Sequence, residues 1–470
     1  MTQANDFDYD LFVIGSGPAG HRAAIQAAKL HKRVAIAERK TVIGGNRINV
    51  GTIPSKTLRE AVIYLTGYRQ RGLYGESFAV KENIQMKDLL FRVNHVIRNE
   101  IDVAQHQLER NNVELISAEA SFVDAHKIRL DYVDGSGTGE ISTEYIVIAT
   151  GSSATRSDKI PFDGKQIFTS DDILTMDRIP RKLSVVGAGV IGIEYASIFA
   201  ALGVRVTVIE KRKRLLPFVD QEIVDSLIYH LRSLRVTFRL GEEVIRIEHL
   251  GDENEKRCRI HLASGKQIVS NKALYSIGRT GASRTLNLSN VGLQEDARGR
   301  IKVNENYQTE VPNIYAVGDV IGFPSLASTS MEQGRLAAAH AFEGESNSFP
   351  EIFPYGIYSI PEISMVGKNE LELTEDEIPY SVGKASYREL ARGQIIGDST
   401  GLLKVIFHLE SRKLLGVHII GQGASELIHI GQAVLSYGGD IDYFIKSVFN
   451  YPTLAEAYKT AAFDGINRLS

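Results

Sequence analysis

Asp10–Gly20, DLFVIGSGPAG, decides the fold of this chain. Four apolar residues, Leu11 to Ile14, read as a short buried strand. GSGPAG follows at once, then an Ala-rich stretch of helical composition, then a second apolar run, RVAIAE, that ends in Glu38. The same unit occurs again. Leu183 to Val186 runs into GAGVIG, an Ala-containing helical stretch follows, and RVTVIE ends in Glu210. From first glycine to acid is 23 residues in both copies, 15 to 38 and 187 to 210. G-x-G-x-x-G alone is a weak signal. Placed between a strand and a helix, with an acid about 20 residues on, it is a dinucleotide-binding fingerprint. Gly15 and Gly187 suit the tight turn, and Gly17 and Gly189 let a pyrophosphate approach the backbone N–H groups at the helix start. Gly20 and Gly192 permit close helix–strand packing, and Glu38 and Glu210 can bond ribose hydroxyls. Two copies suggest two different dinucleotides. The N-terminal unit suits FAD, and the unit near residue 180 suits a nicotinamide cofactor.

Two further strand-to-loop signals flank these units. Tyr145–Ile148 runs into Ala149–Thr150–Gly151, and Asn313–Val317 runs into Gly318–Asp319, where a carboxylate can accept a bond from a ligand hydroxyl. From about residue 350 the pattern changes to strands over Leu402–Phe407 and Leu414–Ile420, then a helix from Ala424 to about Tyr437, an α+β arrangement.

Composition narrows the function. The 470 residues predict about three domains at roughly 100–200 residues each. Hydrophobic residues make up 43% and charged residues 24%, which argues against disorder. A net charge of −3 gives no reason to expect a nucleic-acid or anionic-membrane partner. No apolar run is long enough to span a bilayer. Met1 to Asp10 lacks the basic and apolar regions of a secretory signal. The single cysteine, Cys258, allows neither an internal disulfide nor a cysteine metal site. That is compatible with a reducing cytosol. The 12 His show no metal-ligand spacing, and no G-x-S-x-G elbow or P-loop is present.

GSGPAG, GGNRINVGTIPSK, ATG, GAGVIGIE, GRTG and YAVGD occur in one order along the chain. In that order they resemble the flavin-dependent pyridine nucleotide–disulfide oxidoreductases, and the resemblance covers essentially the whole chain. It implies two Rossmann-like dinucleotide-binding domains and a C-terminal α+β dimerisation domain. The expected division is 1–155 for FAD, 156–280 for NAD(P), 281–350 for a central part completing the FAD site, and 351–470 for the dimer interface. A homodimer, open to further assembly, is implied. Lys56 and Glu194 resemble the family's Lys–Glu pair beside the flavin, with Lys56 in the first turn of a helix behind Pro54. Its ammonium would stabilise negative charge on reduced flavin. Asp319 resembles the ligand of the flavin ribityl chain and Glu38 that of the FAD ribose. Arg39, Gly45, Thr52, Thr150, Gly151, Gly278 and Gly318 also fall at cofactor-binding positions.

The departures from the family pattern direct the chemistry. The family's redox disulfide lies in a C-x4-C segment. Here Arg47 stands at the first position and Thr52 at the second. Arg47 could cover the emptied flavin face or point to solvent. Where disulfide reductases carry His-Pro-Thr and then a Glu, this chain has Tyr451–Pro452–Thr453 and Glu456. Tyr, with an ordinary pKa of about 10, is a poor base at neutral pH and suits packing at a dimer interface.

Without a disulfide, hydride that reaches the flavin from NADPH can return to NAD⁺ at the same site, a ping-pong exchange between the two nicotinamide pools. The alternatives are a quinone or dye acceptor, or a redox sensor with incidental turnover. Glu210 favours NAD, while the following Lys211–Arg212–Lys213–Arg214 can clamp the 2′-phosphate of NADP, Arg212 and Arg214 best. A chain that exchanges the two nucleotides needs both.

Overall fold

Leu11 to Ile14 form the buried end of a strand, Tyr9–Ile14, whose alternate residues enter two different cores. Leu11 and Val13 pack with Ala23, Ala27 and Leu336 on one face. Phe12 and Ile14 pack with Phe122, Ile128 and Leu286 on the other. Burial on both faces of a parallel sheet is why this segment is continuously apolar. Each such Val, Leu or Ile contributes about 1.5–3 kcal/mol of burial.

The structure is a computed structural model describing residues 7–75, 77–251, 256–344 and 349–469. The expectation for the first ten residues therefore lies largely outside the described residues. The chain divides into two compact units. The first holds the chain up to Thr57, Phe91–Thr155 and Gly278–Phe349. The second holds Leu58–Leu90, Arg156–Ile277 and the chain from Pro350.

In the first unit, five parallel strands lie in the order Glu114–Phe122, Val34–Glu38, Tyr9–Ile14, Thr138–Ile148, Ile314–Ala316. Lys127–Tyr132 joins Glu114–Phe122 and Thr138–Ile148 in an antiparallel meander. The helix Pro18–Lys29 follows the first glycine turn. The expected strand at Tyr145–Ile148 is the end of the longer Thr138–Ile148. The outer part of that strand is mixed polar and half exposed, so it carries no apolar run.

In the second unit, the parallel order is Thr237–Leu240, Arg205–Glu210, Lys182–Val186, Lys272–Tyr275, Ile167–Thr169. The helix Val190–Ala201 follows the second glycine turn. It is buried almost all round, so its residues show no polar face. Val244–Leu250, Arg257–Leu262 and Gln267–Ser270 make a small antiparallel sheet. The C-terminal part is a five-stranded antiparallel sheet, including Leu402–His408 and Leu414–Ile420, with helices Ala424–Ser436 and Glu456–Asn467. The fold class is thus α/β with two Rossmann-like sheets and a C-terminal α+β part. Among the described residues, no helix is long and apolar enough to cross a membrane.

Candidate functional site

The two glycine turns are near copies. Gly15 has φ +105° and Gly187 +97°, and a Cβ at either would lie 2.5 Å from a backbone oxygen, that of Ala149 or Ser276. A Cβ at Gly20 or Gly192 would lie 2.0 Å from the carbonyl oxygen of Gly15 or Gly187. At Gly17 and Gly189, by contrast, a Cβ meets nothing within 4 Å. These two residues cap the helices Pro18–Lys29 and Val190–Ala201, so unclaimed N–H groups border open space. That is the shape a pyrophosphate needs.

Both terminal acids sit at the C-terminal ends of their strands and are held alike. Glu38 Oε1 accepts from Lys40 N (3.0 Å) and Oε2 from Ser16 N (3.2 Å). Glu210 Oε1 accepts from Arg212 N (3.0 Å) and Oε2 from Ala188 N (2.8 Å). The remaining partners differ. Ser16 Oγ donates to Glu38 Oε2 at 2.6 Å. Arg212 donates to both oxygens of Glu210, Nε to Oε1 at 2.9 Å and Nη2 to Oε2 at 3.1 Å. Burial raises the Glu210 carboxyl, but the Arg212 guanidinium and the two backbone N–H groups outweigh it and hold the group below its ordinary range.

Lys211 and Arg214 are tied elsewhere. Lys211 Nζ lies 3.0 Å from Glu243 Oε1. Arg214 Nε and Nη2 donate to Gln221 Oε1 at 3.2 and 2.8 Å. Arg39 pairs with Glu119 at 3.3 Å.

In the first unit a polar network gathers around Asp319. Ser152 Oγ donates to Asp319 Oδ2 (2.6 Å), and Arg279 donates to Ser152, Nε to Oγ and Nη2 to the carbonyl oxygen, both at 2.8 Å. Asn46 Nδ2 donates to the same carbonyl. Gly318, at φ +77°, donates its N–H to Gln333 Oε1 at 2.9 Å. Thr150 Oγ1 is shielded and has no protein partner. Gly151 (φ +70°) faces open space, and Gly45 (φ +56°) lies against Gly17. Thr155 N donates to the Gly278 carbonyl at 3.0 Å. An orphaned hydroxyl, an open glycine cap and a braced carboxylate together fit a long ligand rich in phosphate and hydroxyl groups. Ser16, Ser152, Arg279 and Gln333 were not singled out from the sequence. Ser16 lies inside GSGPAG, Arg279 inside GRTG and Ser152 directly after ATG, whereas Gln333 had no adjacent signal.

Lys56 is the fifth residue of the helix Thr52–Leu65, in its second turn rather than the first, and half-buried, with Thr52 exposed at the helix start. Glu194 is buried in the second unit, and its Oε1 accepts from Tyr358 N at 2.8 Å. Arg47 does not point to solvent. It is mostly buried, its Nη1 lies 3.4 Å from Glu100 Oε2, and its Nε is buried without a partner. The long helix Met86–Glu109 supplies that carboxylate. Tyr451 is 71% exposed, and Glu456 Oε2 is buried without a partner. Cys258 is fully buried and lies 3.3 Å from Ser270 Oγ. Asp220, Glu222 and Glu370 form a cluster with metal-ligand spacing, but the Lys404 ammonium sits among all three.

Residues 9–334 match a family model described as pyridine nucleotide-disulphide oxidoreductase, and 353–462 match that family's dimerisation domain. A soluble pyridine nucleotide transhydrogenase of Mycobacterium bovis (strain BCG / Pasteur 1173P2) is 54% identical over 98% of both chains. One from Escherichia coli (strain SMS-3-5 / SECEC) is 45% identical over 99% of both. Among solved structures, LpdA of Mycobacterium tuberculosis superposes with a TM-score of 0.88 at 26% identity, covering 98% of this chain and 99% of that one. The HOCl-induced flavoprotein disulfide reductase RclA of Escherichia coli gives 0.86 at 26% identity, covering 97% and 99%.

Proposed function

The chain belongs to the pyridine nucleotide-disulphide oxidoreductase family, and from that premise we propose that it is an FAD-dependent transhydrogenase carrying hydride reversibly from NADPH to NAD⁺. One observation carries the reading. Two dinucleotide cradles occur in a chain whose only sulfhydryl is buried, so no dithiol stands between one nucleotide and the next. The full-length relatives named as soluble transhydrogenases support it.

When bound, FAD supplies the redox step, taking a hydride from one nicotinamide and returning it to another. The protein binds and orients. Gly15, Gly17 and Gly20 cradle the FAD pyrophosphate, Glu38 takes its adenosine ribose, and Asp319 and Thr150 take hydroxyls of the ribityl chain. Lys56 of the first unit would supply positive charge beside the flavin, and Glu194 of the second unit is the other residue assigned to the chemistry. Gly187, Gly189, Gly192 and Glu210 take the nicotinamide dinucleotide. One such cradle for both nucleotides means that the first product leaves before the second substrate enters. The four-part division at 155, 280 and 350, a homodimer built through the C-terminal part, and a cytoplasmic location belong to the same proposal.

The test is anaerobic reduction of thio-NAD⁺ by NADPH with the purified yellow protein, beside a quinone under matched conditions. Fast thio-NAD⁺ reduction with parallel-line kinetics supports the reading. Fast quinone turnover with little thio-NAD⁺ reduction overturns it in favour of an NAD(P)H dehydrogenase.

A further inference from the structure

The two acids that end the duplicated strands are an internal control for nucleotide choice. Each accepts the backbone N–H two residues on, and each accepts the N–H between its first two glycines. Their protein surroundings then diverge. Glu38 receives only a neutral hydroxyl from Ser16. Glu210 receives both prongs of the Arg212 guanidinium. A bare carboxylate at this place accepts ribose hydroxyls and repels a 2′-phosphate. A carboxylate already paired with a guanidinium does not repel in the same way, and the guanidinium is a ready phosphate ligand.

We propose that Arg212 is the residue that lets the second cradle accept both nucleotides: paired on Glu210 it cancels the charge that would reject NADP, and it turns from Glu210 onto the 2′-phosphate when one is present. The pair is built for such exchange. The Glu210 side chain is 8% exposed and fixed by two backbone donors, whereas that of Arg212 is 51% exposed and free to turn about its stem. Arg214 and Lys211 are occupied on Gln221 and Glu243, so neither touches the acid. Of the two arginines first expected to serve, this leaves Arg212, acting partly through another residue. The inference rests on the reading that one cradle serves both nucleotides.

The test is calorimetric titration of the holoenzyme with adenosine 2′,5′-bisphosphate and with 5′-AMP, in the wild type, Arg212→Gln, Glu210→Gln and the double variant. Neither probe carries hydride, so the result is independent of the transhydrogenase assay. Arg212→Gln is expected to weaken the bisphosphate about thirtyfold, the scale of a lost charge-assisted bond, while 5′-AMP changes by less than about threefold. The double variant should regain about tenfold for the bisphosphate, because the unmasked carboxylate is gone. Equal weakening of both probes by Arg212→Gln would overturn the proposal. So would a double variant no better than Arg212→Gln, or a wild type that binds 5′-AMP but not the bisphosphate.

Discussion

Ser152 Oγ donates to Asp319 Oδ2 at 2.6 Å across 167 residues of sequence. The bond joins the loops that leave two adjacent parallel strands, Thr138–Ile148 and Ile314–Ala316. Ligands of open α/β sheets bind at such carboxyl ends. Arg279 braces Ser152 in turn, so Asp319 is held in place before any ligand arrives.

Asp319→Ala should therefore loosen FAD rather than unfold the chain. Loss of a charged acceptor costs about 1.5–3 kcal/mol, or about 10- to 150-fold in affinity. The ratio of flavin to protein absorbance after gel filtration reads this directly. Ser152→Ala should give a smaller loss of the same sign.

The glycine copies separate folding from binding. Gly20→Ala and Gly192→Ala each drive a Cβ to 2.0 Å from a backbone oxygen. Each should destabilise its unit by about 1–3 kcal/mol or more, as overpacking does. Gly17→Ala meets nothing within 4 Å. It should leave the melting temperature of the apoprotein nearly unchanged and abolish flavin retention. Thermal melts of apoprotein and holoprotein distinguish the two effects.

Lys404 is fully buried among Asp220, Glu222 and Glu370. Lys404→Met would leave those carboxylates without their shared cation, and the expected loss is about 3–5 kcal/mol. Denaturant unfolding measures it. Acid should narrow the gap to wild type as the stranded carboxylates take up protons. Burial opposes the charge on Lys404, but Asp220 and Glu370 outweigh it and raise its pKa above the ordinary 10.5. On the alkaline side the wild-type advantage holds up to about that pH and falls away above it as the ammonium is lost.

His418 gives a second pH dependence of opposite direction. Burial lowers its pKa despite the pull of Asp220, and its Nδ1 has no partner. The unfolded chain takes up this proton below about pH 6.5 while the folded chain resists, so stability should fall as pH drops through that range. The melting temperature of His418→Gln should vary less with pH there than that of wild type.

The sequence displayed what only one residue type can do. Gly15, Gly20, Gly187 and Gly192 were readable because their positive φ or close approach excludes a side chain, and the acids because they close a fixed spacing. Ser152, Arg279 and Gln333 were not, since sheet topology alone brings them beside Asp319 and Gly318. The charge run Lys211–Arg214 was visible, but its partners Glu243, Glu210 and Gln221 were not. An exposed cation takes whichever acceptor the fold presents. The partner of Arg47 was hidden for the same reason, because Glu100 arrives on a helix that has no sequence link to it. Leu58–Leu90 belongs with the second unit through buried bonds such as Arg59 Nε to the Ser359 carbonyl at 2.9 Å, spanning 300 residues.

Cys258 is the chain's single sulfhydryl, wholly covered by protein, and burial pushes its pKa up. The protonated, inaccessible form is the unreactive one. A family named for its disulfide has here a member whose one thiol is out of reach of alkylating agents and heavy metals. Such a protein can keep the NADPH and NAD pools in communication during an oxidative insult, when thiol-dependent reductases are themselves targets.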